Sequence, residues 1–347
     1  MSKQVQKGGE NSTNIQAEEV NVVQGLTYAE VRQVAIDVFK ANFYDLAGEA
    51  KNIAESRASK ITEDFLAKLQ AENPDGFSKA QDPDFQHALF TVQKEHARSG
   101  DEDLGSLLVD LLVDRSKQNQ RDILQIVLNE SLAIAPKLTK EHLAALSVVF
   151  LFRYTQNYGI GNHKSLGQYL DMRCAPFAES IPKNQASYQH LQFSGCGAVS
   201  MASVYLEEIL GESYQGLFLK GFDPEEITKR EVSIGADQNF FVPCLNDPEK
   251  LQVRAISKEI LERNMEQLNV PEEDHPKILA LFDLGKMSEE EIKEKCIEIR
   301  PYMAQVFDAW SSSNLSNFTL TSVGIAIGHA NIKRFVGEFA NLSIWIN

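Results

Sequence analysis

The chain is poor in the residues and patterns that ordinarily announce a chemistry. Its 347 residues hold only four cysteines, two tryptophans and seven histidines. Cys174, Cys196, Cys244 and Cys296 form no CxxC pair and share no zinc-ligand spacing. Isolated cysteines fit a reducing compartment, where they pack as small apolar groups. HExxH and HxH are absent, so no metal is expected. "GIGNH" (159–163) has paired glycines but neither the GK[ST] nor the GxGxxG form, so it reads as a loop and no cofactor is expected. Positive charge is also scarce. Against 49 acidic residues stand 34 basic ones, a net charge of −15, and no basic run interrupts them. Phosphate contacts need clustered Lys and Arg, so nucleic acid is excluded as a general partner. The most apolar run, "ALSVVFLF" (145–152), lies between His142 and Arg153. It falls far short of the ~20 residues a membrane span requires. With no apolar h-region at the start, a cytoplasmic protein is expected.

What the chain does have is helical periodicity. Thr27 and Glu30 stand at capping-box spacing. Ala35, Phe39, Phe43, Leu46, Ala50, Ala54, Ala58, Ile61, Phe65 and Leu69 then recur every three or four residues until Asn73-Pro74. This stripe predicts one very long helix over 27–72, either a spine within a bundle or a seam between copies. Further helices are expected over 83–98, 103–117, 119–134, 139–156, 163–172, 198–210, 248–268, 272–283, 288–311 and 319–335. The fold class is mainly α, a multi-helix bundle with a short β-prone leader. The organisation expected is a leader (1–25), the long helix (26–73), a helical domain (74–183) and a mainly helical C-terminal domain (184–347). "REVSIGADQNFFVPC" is the most strand-like stretch of the body, and the terminal "NLSIWIN" reads as a short strand or an apolar plug.

Two stretches look functional. In "QHLQFSGCGAVSMASVYLEEIL" (189–210), a cysteine between glycines precedes a small-residue helix, which resembles the nucleophile turn of papain-like and bacteriocin-processing cysteine peptidases. A helix N-terminus would lower the Cys196 thiol pKa, and His329, with Asn331 nearby, is the available base. The bland alternative is a tight turn with close packing. In "TLTSVGIAIGHANIKRF" (319–335), Gly324 and Gly328 stand four apart. Each costs about 1 kcal/mol against Ala within a helix, which points to another backbone lying on that face.

The leader "GGENSTNIQAEEVNVV" alternates apolar and amide side chains in two short pieces. Such amides ladder when identical strands stack, but strands this short need partners. The stretches "GENSTNIQAEEVNVVQGLTYAEVRQVAIDVFKANF", "SGCGAVS", "YQGLFLKGF", "LTSVGIAIGHANIKR" and "LSIWIN" resemble a bacterial family of unknown activity known by locus labels. The leader is similar to N-terminal tags on defence-associated bacterial proteins. The resemblance implies self-assembly and a setting in antiphage or stress defence, and it carries no catalytic residue. The function expected is therefore a non-enzymatic, self-assembling interaction protein whose partner is itself, with a second protein as a further option. Asn14, Ile15, Gln16, Val20, Val22, Phe39, Phe43, Leu46 and Ala50 would form the contact. The alternatives are a cysteine hydrolase using Cys196, and a membrane-disrupting effector using the 27–72 helix.

Overall fold

The computed structural model describes residues 26–42, 46 and 48–347. The chain is mainly helical. It runs through α1 (Tyr28–Asn42), α2 (Glu49–Glu72), α3 (Pro83–Ser99), α4 (Glu102–Ser116), α5 (Ile123–Ile134) and α6 (Lys140–Tyr154). Next come α7 (His163–Arg173), α8 (Ala175–Ala178), α9 (Gln185–Phe193), β1 (Gly197–Val199), α10 (Leu206–Ser213) and α11 (Glu225–Lys229). The rest is β2 (Phe241–Pro243), β3 (Leu251–Val253), α12 (Lys258–Gln267), α13 (His275–Asp283), α14 (Glu289–Ile299), α15 (Met303–Ser312), β4 (Phe318–Leu320) and α16 (Ser322–Val336).

Local chemistry sets many of these ends. The Thr27–Glu30 box closes as its spacing predicts: the Thr27 backbone N–H donates to Glu30 Oε2 at 2.8 Å, and the Glu30 N–H donates to Thr27 Oγ1 at 3.3 Å. Asp82 caps α3 ahead of Pro83, and α3 ends on left-handed Gly100. The expected helix 288–311 is broken in two because Pro301 disfavours helical backbone at Arg300. The long helix expected over 27–72 is likewise two helices, α1 and α2. Arg32 reaches Glu63, and Phe39 packs with Ala54 and Ala58, so the two run antiparallel. Gly48, at φ 59°, precedes α2. Periodicity missed the break because α1 and α2 bury the same kind of stripe: Val31, Ala35 and Phe39 on one, Ala54, Ala58, Ile61, Phe65 and Leu69 on the other.

The centre of the bundle is α16, whose side chains from Val323 to Lys333 are all buried. It packs mainly on α6, and also on α4 and α5. The glycine pair explains the approach. A Cβ on Gly328 would stand 2.9 Å from the Leu146 carbonyl oxygen, and one on Gly324 would stand 1.9 Å from that of Cys196. Both faces therefore meet another backbone. The apolar run 145–152 lies in α6 and is buried along its whole length.

Strands are few. β1 pairs antiparallel with β4, Ala198 opposite Thr319, which fastens the "SGCGAVS" turn to the start of α16. β2 pairs with β3 inside a second apolar core built from residues 219 to 282. The chain enters and leaves that unit at adjacent points, where the Lys220 N–H donates to the Gly285 oxygen and the Met287 N–H to the Phe218 oxygen. The main core draws on residues from Val31 to Ile346. The terminal "NLSIWIN" takes the plug form rather than the strand: Leu342 and Ile346 are buried in that core. No helix among the described residues is long and apolar enough to cross a membrane.

Candidate functional site

The Cys196–His329 pair is not assembled. Cys196 is fully buried, and burial pushes its thiol up to about 12, the reverse of what a nucleophile needs. Gly324 is the residue of α16 that faces Cys196, while His329 lies roughly 7.5 Å further along the axis and about 140° around it. His329 Nε2 instead sits 2.7 Å from the Ala340 carbonyl oxygen. A carbonyl only accepts, so Nε2 carries the proton and Nδ1 is a buried acceptor with no partner among the described residues. Burial lowers the His329 pKa, and the ring stands among Phe150, Phe339 and Trp345. Asn331 is committed as well: its side-chain amide donates to Ser147 Oγ at 2.7 Å. Cys174 and Cys296 are buried with raised pKa values too. Among the described residues no group of three or more His, Cys, Asp and Glu side chains is placed to hold a metal ion.

Of the expected assembly residues, Asn14, Ile15, Gln16, Val20, Val22 and Phe43 lie outside the described residues. Phe39 is buried against α2 and α3, with its ring 6.5 Å from that of Phe90, so it belongs to the bundle and not to an outer seam. Leu46 and Ala50 are exposed, and with Ile53 they form the apolar side of a groove between α2 and α3 whose rim carries Arg57, Lys94, Glu95 and Arg98.

Two cavities flank the C-terminal tail, and both take Phe339 and Ala340 as wall. The smaller, about 470 Å³, opens on a charge cluster drawn from α2, α4, α16 and the residue after α4. Lys333 Nζ is 2.9 Å from Glu72, 3.2 Å from Asp114 and 3.8 Å from Asp110. Lys68 pairs with Asp110 at 2.5 Å, and Lys117 with Asp114 at 2.8 Å and Glu72 at 3.3 Å. Three lysines thus meet three carboxylates, and the cluster is neutral. Burial works to raise the Asp114 pKa, but Lys333 and Lys117 outweigh it and hold the group low. Burial prevails at Asp110, which is raised despite Lys68. Every cation here has a carboxylate, which is how a buried ion network holds helices together.

The larger cavity, about 1260 Å³, is organised differently. It is a cleft between the α6–α7 connection, α7, α10 and the tail. Its size reaches beyond the ~300–1,000 Å³ usual for small-ligand sites. Tyr154, Tyr158, Tyr169, Phe339 and Trp345 line it. Several are fixed by their polar ends. Tyr154 Oη accepts from the Leu320 N–H at 2.9 Å, and Trp345 Nε1 donates to the Tyr154 carbonyl at 2.7 Å. Nearby Tyr214 Oη accepts from the Asn157 N–H at 3.2 Å, which anchors the connection after α6. Burial raises the Tyr169 pKa, so that phenol stays neutral.

Arg173, the last residue of α7, is the exception in this wall. Its guanidinium lies 4.7 Å from the centre of the Phe339 ring and 5.3 Å from that of Tyr169. It is half-buried and makes no hydrogen bond or ion pair among the described residues. Arg153, also in the wall, donates to the Phe318 and Ser316 carbonyls and has no carboxylate partner. Glu208 and Glu212, one turn apart on α10, line the same cleft, and no ion pair joins either to an arginine.

None of these cleft residues stands out in the sequence. They come from 152–159, 169–173, 204–213 and 339–345, and no local spacing links them. The one usable signal was the aromatic content of "NLSIWIN", which brings Trp345 to the wall.

A family model described only by a locus label with the suffix "-like", that of an uncharacterised family, matches residues 25–346. No curated protein and no solved structure matches the chain.

Proposed function

The chain belongs to that family, which brings no activity with it, and we propose that it works by binding a small organic ligand in the aromatic cleft rather than by making or breaking bonds. One observation carries this reading: a cleft of about 1260 Å³ with Tyr154, Tyr169, Phe339 and Trp345 in its wall and the Arg173 guanidinium over two of those rings, 5.3 Å from the centre of Tyr169 and 4.7 Å from that of Phe339. Aromatic walls with a few fixed polar groups suit ligand recognition. Trp345 is one of only two tryptophans, so its fluorescence reports occupancy. A panel of aromatic carboxylates, dipeptides and nucleotides is titrated while fluorescence and melting temperature are followed. At least one class should quench Trp345 and raise the melting temperature, and Ser213→Phe, which narrows the cleft, should abolish both. A ligand that binds the wild type and Ser213→Phe alike would place binding elsewhere and overturn the reading.

A second reading, self-association, is supported by the exposed groove at Leu46, Ala50 and Ile53, because apolar surface grouped in this way marks contact sites. Here the partner is a second copy, and a defence setting belongs to this reading alone. Light scattering on the intact chain, on Ile53→Glu and on a chain lacking residues 1–25 decides it. A larger mass for the intact chain only is expected. Equal monomeric masses for all three would remove it.

A further inference from the structure

We infer that the ligand of the cleft is a zwitterion with an aromatic or apolar body, of the amino-acid or short-peptide class, its carboxylate seated on Arg173 and its ammonium on Glu208 and Glu212. This rests on the cleft being a binding site.

Acidic residues outnumber basic ones by 49 to 34, so a basic side chain in this protein has carboxylates to spare. The lysines of the α2–α4–α16 cluster each find at least one. Among the described residues Arg173 finds none, although it is half-buried and lies against two rings. The two ring contacts place the guanidinium in the cleft wall without taking up its N–H donors, which stay available to an anion. An Arg fork of this kind takes a carboxylate in two parallel hydrogen bonds.

The size of the charge on that anion follows from the rest of the wall. Glu208 and Glu212 share one face of α10 at i, i+4 spacing and line the same cleft. Among the described residues Glu208 makes no ion pair or hydrogen bond, and Glu212 accepts only from the Gln215 amide at 3.2 Å. A nucleotide would bring two or more negative charges against these carboxylates and against a net charge of −15. A zwitterion has no such cost: its anion meets the arginine, its cation meets the glutamates, and it adds no net charge. Its body contacts Tyr154, Tyr158 and Trp345, whose rings prefer offset or edge-to-face partners. The volume accommodates more than one amino-acid residue.

One aromatic dipeptide, phenylalanyl-tyrosine, tests this in three forms: free, N-acetylated and C-amidated. Each cap removes one charge and leaves the body intact. The free form should bind roughly ten- to a hundred-fold tighter than either capped form, the range of one charge-assisted hydrogen-bond set. Arg173→Met, which keeps much of the side-chain bulk, should weaken the free and N-acetylated forms and leave the C-amidated form unchanged. Glu208→Gln with Glu212→Gln should show the opposite pattern. Arg173→Lys separates charge from fork geometry and guards against a folding defect, which melting temperature reports for every variant. Equal affinity of free and capped dipeptides overturns the inference. So does tight binding of ADP with none of the dipeptides, and in that case the cleft itself survives as a binding site. If Ser213→Phe also leaves every affinity unchanged, the binding-site reading fails with it.

Discussion

The two cavities beside the C-terminal tail share Phe339 and Ala340 yet handle charge in opposite ways. On one side Lys68, Lys117 and Lys333 are each matched to carboxylates of α2 and α4. On the other, Arg173 lies over Tyr169 and Phe339 with no carboxylate partner among the described residues. A saturated cluster has nothing left to offer a ligand, and its worth lies in fastening helices. An unsaturated cation in a walled cleft adds little to the fold and keeps its donors for something else. Burial alone does not separate structure from recognition here. Satisfaction does.

The sharpest way to break this comparison is at Lys333. Lys333→Met leaves Asp114, Asp110 and Glu72 buried or half-buried with one cation fewer. We expect a loss of about 3–5 kcal/mol in urea unfolding, as for removal of one partner from a buried ion network. Ligand affinity of the folded fraction should not change. Next in size is Gly324→Ala, whose Cβ would collide with the Cys196 carbonyl at 1.9 Å. Forcing α16 off that backbone should cost on the order of 1–3 kcal/mol, as overpacking does. Gly328→Ala meets the Leu146 oxygen at 2.9 Å and should cost less. Chemical denaturation of the two variants side by side checks the order.

Titration of the buried histidines gives a smaller effect with a fixed sign. Burial lowers the His329 pKa, and burial followed by the neighbouring His190 lowers that of His142. Their unfolded-state values are near 6.5. Below that pH the unfolded chain binds protons that the folded chain refuses, so stability is lost as pH falls from about 6.5 toward the folded values. The urea midpoint should therefore be lower at pH 5.5 than at pH 7.5, and His329→Phe should flatten the difference. The smallest effect on stability is expected at the cleft. Arg173→Met gives up two stacking contacts worth roughly 0.5–1 kcal/mol in half-exposed settings, and should be nearly silent in urea while weakening the ligand.

Much of the helical scaffold was legible because its signals are local. The starts expected at 83, 139 and 163 fall within a residue of those of α3, α6 and α7, where Asp82, Thr139 and Asn162 supply the caps. The glycines of α16 announced a close backbone, and Cys196 and Leu146 supply it. The break between α1 and α2 was hidden because two antiparallel helices facing one core carry the same stripe as one long helix. Of the candidate site only Trp345, in the terminal "NLSIWIN", had a signal in the sequence. Lys333 meets Glu72 across 261 positions, and Arg173 meets Phe339 across 166. Contacts at that range leave no periodicity to read. Cys196 is ambiguous for a related reason: Gly195 turns the chain at φ 76° and Gly197 lies against Phe318 and Thr319 of β4, and such a turn looks the same in sequence as one that presents a thiol.

The central claim is that Arg173 is held for a ligand and not for the fold. Paired measurements on Arg173→Met and Lys333→Met, urea midpoint together with Trp345 titration by phenylalanyl-tyrosine, test it most directly. Arg173→Met should unfold within about 1 kcal/mol of the wild type and bind roughly ten-fold or more weaker, with Lys333→Met showing the reverse. An Arg173→Met protein that loses stability as Lys333→Met does, or that binds the dipeptide as the wild type does, would contradict it.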